Sequence, residues 1–260
     1  MKTVRTIGEV RALLDGEVGL VPTMGALHAG HRSLFEAARA ENDLVVASLF
    51  VNAPQFGEQG DLDAYPRDEA TDARLADDAG VDVLFAPSPA EMYPPGFATW
   101  VDVGDTGAEG DARPGHFRGV ATVCLKLFTI VRPRRAYFGQ KDAQQAAVIR
   151  RLVRDLNLEL EIRVLPTVRD PDGLALSSRN ARLSPDERVR ALGLPRALAA
   201  GAEVHRLGGD AIAATRAALN GLAPEYVELV ELDGVTVLAS AARIGDTRLI
   251  DNVLIEGELT

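Results

Sequence analysis

Three features of the sequence predict an α/β fold. Residues 44–51, Leu44-Val-Val-Ala-Ser-Leu-Phe-Val51, form an unbroken apolar run rich in β-branched side chains, the pattern of a strand buried on both faces of a parallel sheet. Shorter apolar runs recur at Gly19–Val21, Val81–Ala86, Ala136–Phe138 and Ile162–Val168, with helical periodicity between them. Strands alternating with helices imply right-handed parallel crossovers. After residue 168 the order changes to two helices followed by strands. The expected architecture is therefore a Rossmann-like parallel sheet in an N-terminal domain over residues 1–168, with a smaller α+β C-terminal domain over residues 169–260.

Taken in order, Ile7, Val10, Leu13 and Leu14 are spaced for a short amphipathic helix ended by Gly16. Helical spacing resumes at His28, with Leu34, Phe35 and Ala38 inward, and again near Asp68 to Ala79. Thr99 to Val103 reads as a short strand. Val120 to Val131 reads as a helix with Val120, Val123, Cys124, Leu127, Ile130 and Val131 inward. Ala143 to Leu156 is the next helix. In the C-terminal part, helices are expected over Pro185–His205 and Asp210–Leu222, and strands over Tyr226–Leu232, Thr236–Ala239 and Arg248–Ile255.

Composition narrows the function classes. The chain has 260 residues, 47% hydrophobic and 25% charged, ordinary values for a globular protein with a real core. A formal net charge of −10 disfavours non-specific nucleic-acid binding and requires a local basic pocket for any anionic substrate. A single cysteine excludes an intramolecular disulfide and a cysteine metal cluster, and the helical spacing of Cys124 assigns it to the core. The N-terminus lacks a signal-peptide core, and no apolar run reaches membrane-spanning length, so the expected location is the cytoplasm and no membrane partner is expected.

The chemistry is concentrated after the strands. Val21-Pro-Thr-Met-Gly-Ala-Leu-His-Ala-Gly-His31 runs from a strand end through a turn into a helix start. Helix starts expose unpaired N–H groups and suit phosphate. His28 and His31 share one face of that first turn, and Gly30 between them permits close approach of a flat ring. The plainer reading is a helix start with ordinary histidine hydrogen bonds. Asn52-Ala-Pro-Gln-Phe56 places two neutral amides, Asn52 and Gln55, at a strand mouth, where such groups orient hydroxyl and carboxylate ligands; a simple turn is the alternative. Phe138-Gly-Gln-Lys-Asp142 offers Lys141 as a point charge for phosphate, Asp142 as a helix cap, and Gln144 and Gln145 on the following turn. Leu174-Ala-Leu-Ser-Ser-Arg-Asn180 carries two hydroxyls and a guanidinium, on what is otherwise an ordinary surface loop.

His28-Ala-Gly-His31 resembles the HxGH motif of nucleotidyltransferases and class I aminoacyl-tRNA synthetases, and the Ser177-Ser178-Arg179 stretch resembles their KMSKS-type loop. The further segments Phe50-Val-Asn52, Asp63-Ala-Tyr-Pro-Arg67, Phe85-Ala-Pro87, Glu91-Met-Tyr-Pro94 and Arg113-Pro-Gly-His-Phe-Arg-Gly119 are in order and spacing similar to the pantothenate synthetase family, from about residue 2 to residue 255. The chain departs from that pattern where the usual Asn-Pro-x-Gln-Phe reads Asn52-Ala53-Pro54-Gln55-Phe56, where Gln140 stands in place of a common Glu, and in ending soon after Asp251-Asn-Val.

The resemblance implies ATP-dependent condensation of (R)-pantoate with β-alanine through a pantoyl adenylate. It implies that His28, His31, Lys141, Ser177, Ser178 and Arg179 hold the phosphates, with His31 the principal donor and His28, Lys141 and Arg179 sharing the catalytic role. Met24, Gly25, Gly30, Gly139, Gln140, Asp142, Val168 and Leu176 complete the implied ATP site. Gln55 and Gln145 are implied for pantoate and Asn52 for the second substrate. Mg²⁺ is implied with ATP, with Asp72 near the metal, and the implied assembly is a homodimer. The glycine-containing segment Phe56 to Pro66 is expected to close as a lid. Two other classes remain in view: an adenylyltransferase that stops after nucleotide transfer, and a non-enzymatic nucleotide sensor. The first would not need the paired glutamines, and the second would not need His31, Lys141 and Arg179 together.

Overall fold

A computed structural model describes residues 1–57, 59–104, 107–231 and 234–257. The chain runs β1 (Lys2–Val4), α1 (Ile7–Arg11), β2 (Val18–Thr23), α2 (Ala29–Glu41), β3 (Leu44–Leu49), α3 (Gln59–Asp63), α4 (Glu69–Asp78), β4 (Val83–Phe85), α5 (Pro89–Met92), α6 (Gly107–Ala112), α7 (His116–Val131), β5 (Arg135–Gly139), α8 (Ala143–Asp155) and β6 (Glu161–Leu165). It continues with α9 (Pro185–Ala191), α10 (Gly193–Arg206), α11 (Ala211–Ala218), β7 (Pro224–Glu231), β8 (Thr236–Ile244) and β9 (Thr247–Glu256).

The first six strands form one parallel sheet in the order β1-β4-β3-β2-β5-β6. Alternation along each strand splits the core between its faces. Val18 and Leu20 of β2, with Val46 of β3, pack against α7 and α8. Val21, Val45 and Ala47 point the other way, to Leu34, Phe35 and Ala38 of α2 and Ala76 of α4. Phe35 is wholly buried, which stabilises the fold by about 1.5–3 kcal/mol relative to exposure. The chain leaves β2 toward β3 on one side and returns to β5 on the other. This reversal opens a crevice at the carboxyl ends of the central strands, where α/β sheets bind ligands.

The second sheet is antiparallel, β7-β8-β9. One face packs on α10 and α11 through Leu238, Ala242 and Ile244. The other, with Tyr226, Val237, Ala239 and Ala241, meets Ala108 of α6 and Ala143 of α8. The small sheet is thus a wall placed over the crevice, covered on both sides.

The structure revises several expectations. Residues 99–103 alternate like a strand but pair with no other strand; Val101 N donates instead to Thr122 Oγ1 at 3.1 Å. The single helix expected over Pro185–His205 is two, divided at Leu192. Pro195 lies in the first turn of α10, the only part of a helix where its missing N–H goes unneeded. Helix α7 starts at His116 rather than Val120, after Gly115 at φ +81°. Strand β3 ends at Leu49, β6 ends before Pro166, and β8 runs on to Ile244. The edge strand β1 was not expected. Glu58 of the lid stretch, Leu232 of the expected strand and residues 258–260 of the expected C-terminal domain lie outside the described residues.

Candidate active site

The loop from β2 to α2 is built to present two imidazoles. Gly25 takes φ +91° and Ala26 φ +51°, turning the chain sharply. Asp72 of α4 braces the turn: its two carboxylate oxygens accept from Ala26 N at 3.0 Å and Leu27 N at 2.7 Å. Tyr65 Oη donates to Gly25 O at 3.2 Å. At the start of α2 the two histidines cap it reciprocally. His28 Nδ1 accepts from Gly30 N at 3.1 Å, and His31 Nδ1 accepts from His28 N at 3.3 Å. A backbone N–H can only donate, so both Nδ1 atoms are unprotonated and each ring carries its proton on Nε2. The rings lie 4.2 Å apart. Burial first, and then the Lys141 cation, lower the pKa of His28 to about 4; burial first, and then His28, lower that of His31 to about 3. Both are therefore neutral N–H donors near pH 7. A side chain at Gly30 would stand 2.9 Å from His28 Cε1, so this pairing needs glycine there.

Across the crevice, β5 delivers the 3₁₀ turn Gln140–Asp142. Lys141 Nζ lies 3.7 Å from Asp142 Oδ1. Asp142 occupies the cap position of α8 without making a side-chain cap bond, contrary to its expected capping role. Asn252 of β9 holds the turn from the opposite sheet, its Nδ2 donating to Gln140 O at 2.9 Å and Lys141 O at 3.0 Å. Arg169 is joined to Asp251 at 2.7 Å, which fixes the same stretch of β9. Beyond β6, Leu176 N donates to Val168 O at 3.0 Å, bringing the serine loop back toward the sheet. Ser177 caps the 3₁₀ turn Ser178–Arg182, accepting from Arg179 N at 3.2 Å.

These parts line one cavity: Met24, His28, Gly30 and His31; Gly139, Lys141 and Asp142; Val168, Leu176, Ser177, Ser178 and Arg179. Asn52, Gln55 and Gln145 line the same cavity. Asn52 is buried, and its Nδ2 donates to Gln55 Oε1 at 3.0 Å. Tyr93 Oη in turn donates to Asn52 Oδ1 at 2.7 Å. Cys124 packs beside them, buried, its thiol pushed up by burial to about 12. Three expected site residues stand outside the cavity lining. Gly25 shapes the loop, Gln140 donates to Asn252 Oδ1 at 3.3 Å, and Asp72 spends its carboxylate on the loop amides.

Sequence reasoning missed a buried ionic cluster on the cavity wall. Glu109 of α6, only 5% exposed, accepts from both Nη atoms of Arg248 at 2.8 Å and from Tyr226 Oη at 3.0 Å. Burial pushes its carboxyl up, but the bonded Arg248 guanidinium outweighs that and holds it below the usual range. Arg113 and His116 stand beside it. The i,i+4 spacing of Glu109 and Arg113 was visible in the sequence; the partners on β7 and β9 were not. Among the described residues no three His, Cys, Asp or Glu side chains come together as a metal site. The cavity thus offers neutral imidazole N–H groups, an ammonium and a guanidinium suited to a polyanion, together with uncharged amides suited to a smaller polar ligand.

Residues 2–254 match the family model described as pantoate-beta-alanine ligase. A pantothenate synthetase of Roseiflexus castenholzii is 58% identical over 277 aligned positions, covering 98% of this chain and all of the relative. The crystal structure of pantoate-beta-alanine ligase (pantothenate synthetase) from Thermus thermophilus superposes with a TM-score of 0.95 at 48% identity, over 99% of this chain and 100% of that one. The pantoate-beta-alanine ligase of Francisella tularensis, solved with a β,γ form of ATP and with β-alanine, gives a TM-score of 0.84 at 36% identity with both chains fully covered.

Proposed function

The chain belongs to the pantoate-beta-alanine ligase family, and on that premise we propose how its cavity carries the reaction. The enzyme condenses (R)-pantoate with β-alanine, using ATP and a pantoyl-adenylate intermediate, and gives pantothenate, AMP and pyrophosphate. A carboxylate is a poor acyl donor because its leaving group would be oxide, and AMP supplies a better one. In the first step a pantoate carboxylate oxygen attacks the α-phosphorus. The bond from that phosphorus to the β-bridging oxygen breaks, and pyrophosphate leaves. In the second step the amine of β-alanine attacks the acyl carbon, the bond to AMP breaks, and the amine proton is lost.

The observation that carries this reading is a single cavity lined by two neutral Nε2–H histidines and Lys141 together with Gln55 and Gln145. Negative charge grows on the α- and β-phosphates during adenylation, and donors already aimed there supply the main catalytic effect. His31 is the principal donor, with His28, Lys141, Ser177, Ser178 and Arg179 around it. Met24, Gly30, Gly139, Asp142, Val168 and Leu176 form the adenosine end. Gln55 and Gln145 hold the pantoate hydroxyls and carboxylate, and Asn52 orients β-alanine.

A divalent metal is typical of ATP-dependent ligases, and Mg²⁺ is the one we assign. Of the carboxylates lining the cavity, Glu109 and Asp251 are bonded to arginines, whereas Asp142 has Lys141 at 3.7 Å. This donor set would suit an ion that takes most of its ligands from ATP and few from the protein. When bound, Mg²⁺ neutralises phosphate charge. Residues 1–168 act as the nucleotide- and pantoate-binding domain and the rest as the smaller lid domain. A homodimer working in the cytoplasm, where ATP is available, completes the reading.

The test is exchange of labelled pyrophosphate into ATP with pantoate and no β-alanine. Exchange supports the adenylate, and strict dependence on β-alanine would overturn it. AMP release that requires both pantoate and β-alanine separates this enzyme from an adenylyltransferase and from a nucleotide sensor.

A further inference from the structure

The segment Arg113-Pro-Gly-His-Phe-Arg-Gly119 has no part in the reaction as described so far, yet three of its residues meet the Asn52–Gln55 turn. His116 Nδ1 lies 2.8 Å from Gln55 O, and Arg113 Nη2 donates to the same oxygen at 3.3 Å. Gly119 lets the backbone of α7 lie directly on the turn: a Cβ there would stand 2.7 Å from Gln55 N and from Pro54 C. Gly119 O also accepts from Asn52 Nδ2 at 3.1 Å. The turn is therefore gripped at its carbonyl, its backbone and its first side chain at once.

The protonation states agree with this arrangement. A carbonyl oxygen only accepts, so His116 carries its proton on Nδ1, and its Nε2, 3.3 Å from Arg113 Nη1, is the acceptor. Burial first, and then the Arg113 cation, lower His116 to about 4 and keep it neutral. Arg113 is held by Glu109 Oε1 at 3.4 Å, and Glu109 is anchored by Arg248 and Tyr226. A connected set of buried contacts thus runs from the C-terminal sheet to the Gln55 carbonyl. On the far side Asn52 occupies Gln55 Oε1, which leaves Nε2 as the donor available to the cavity.

We propose that Arg113 and His116 are positioning residues for pantoate: by donating together to the Gln55 carbonyl they hold the turn so that Gln55 Nε2 meets the substrate. The proposal rests on the reading that Gln55 binds pantoate. Neither residue touches the reacting atoms, so both act on pantoate affinity rather than on the phosphoryl step. Two donors on one carbonyl fix its direction as one donor cannot, and the glycine contact removes the remaining freedom of the turn.

The experiment measures the pantoate KM, kcat, ATP affinity by calorimetry and melting temperature for His116→Ala, His116→Asn, Arg113→Met and Gln55→Ala, and for the double variant of His116→Ala with Gln55→Ala. His116→Ala and Arg113→Met should each raise the pantoate KM about tenfold, the effect of roughly one net hydrogen bond, with ATP affinity unchanged. His116→Asn should restore the KM, because its Nδ2 stands where the imidazole Nδ1 did. In the Gln55→Ala background the His116→Ala change should add nothing further, since its effect passes through Gln55. An equal loss with and without Gln55, or a lowered melting temperature with an unchanged pantoate KM in Arg113→Met and His116→Asn, overturns the proposal while the reading of Gln55 stands. A normal pantoate KM in Gln55→Ala overturns that reading and the proposal with it.

Discussion

Arg179 and Asp61 form an ion pair, Nη2 donating to Oδ2 at 2.7 Å, which ties the cavity guanidinium to helix α3. Arg182 donates to the other Asp61 oxygen at 3.2 Å. Burial pushes the Asp61 carboxyl up, and the two guanidiniums outweigh this and hold it low. On the proposed reading, a triphosphate competes with this carboxylate for Arg179. The pair is about one-quarter exposed, so it contributes at most about 1 kcal/mol. Asp61→Asn should therefore tighten binding of a non-hydrolysable ATP analogue by up to about fivefold in calorimetry. Weaker binding would show instead that Asp61 belongs to the ligand-bound arrangement.

His31 caps α2, and His31→Ala tests whether its Nε2–H is a phosphate donor as well. Loss of one preorganised donor lowers turnover by roughly 10²–10³, and loss of the acceptor for His28 N lowers stability by about 0.5–2 kcal/mol. Single-turnover adenylation should show that deficit, while supplied pantoyl adenylate should still react with β-alanine. Normal adenylation with a lowered melting temperature would assign His31 to capping, leaving Lys141 and Arg179 as the phosphate donors.

Asp72→Asn tests whether this carboxylate serves the loop or a metal. The amide retains one acceptor, so the part-buried Ala26 N or Leu27 N loses its partner, at about 1 kcal/mol. The ATP KM should rise, while the Mg²⁺ concentration for half-maximal rate at saturating ATP stays unchanged. A raised Mg²⁺ requirement with an unaltered ATP KM would return Asp72 to the metal.

The three low-pKa histidines predict an acid-sensitive fold. His28, His31 and His116 titrate at about 4, 3 and 4 in the folded chain, below the 6.5 of a free histidine. Between these values the unfolded chain binds more protons, so the stability they contribute is present above pH 6.5 and is lost as pH falls toward 4. Each adds a slope of up to about 1.4 kcal/mol per pH unit. Chemical denaturation from pH 8 to 4.5 should show a plateau above about 7 and then a decline. His116→Asn should flatten the decline; an unchanged slope in that variant would mean His116 is protonated in the fold.

The buried central strands were legible because parallel strands covered on both faces read as continuous apolar runs, as Leu44–Leu49 does. Lys2–Val4 was not, being short, half-polar and recognisable only by its pairing with β4. Residues 99–103 have the alternation of a strand and lack the neighbour that would make them one. That His28, His31 and Lys141 would line one cavity was legible for a related reason: they follow strand ends, where chain order predicts space. The Glu109 cluster was hidden because its partners, Tyr226 and Arg248, come from a distant sheet, and pairing at that separation leaves no periodic trace. Asp72 had a recognisable charge but no sign of its partners, since backbone amides look alike in any sequence.

The bonds from Asn252 to the carbonyls of Gln140 and Lys141 bear on how the protein is made. On the ribosome, β2, β3 and β5 emerge long before β9 and can pair early, because their contacts lie within the first sheet. The turn carrying Lys141 acquires its restraint only when residue 252 has been synthesised. During that interval the nascent chain has a nucleotide crevice with one wall missing and the apolar faces of Ala108 and Ala143 uncovered. Chaperone engagement should therefore peak between the emergence of β6 and that of β9, and catalytic competence should appear abruptly with the last strand.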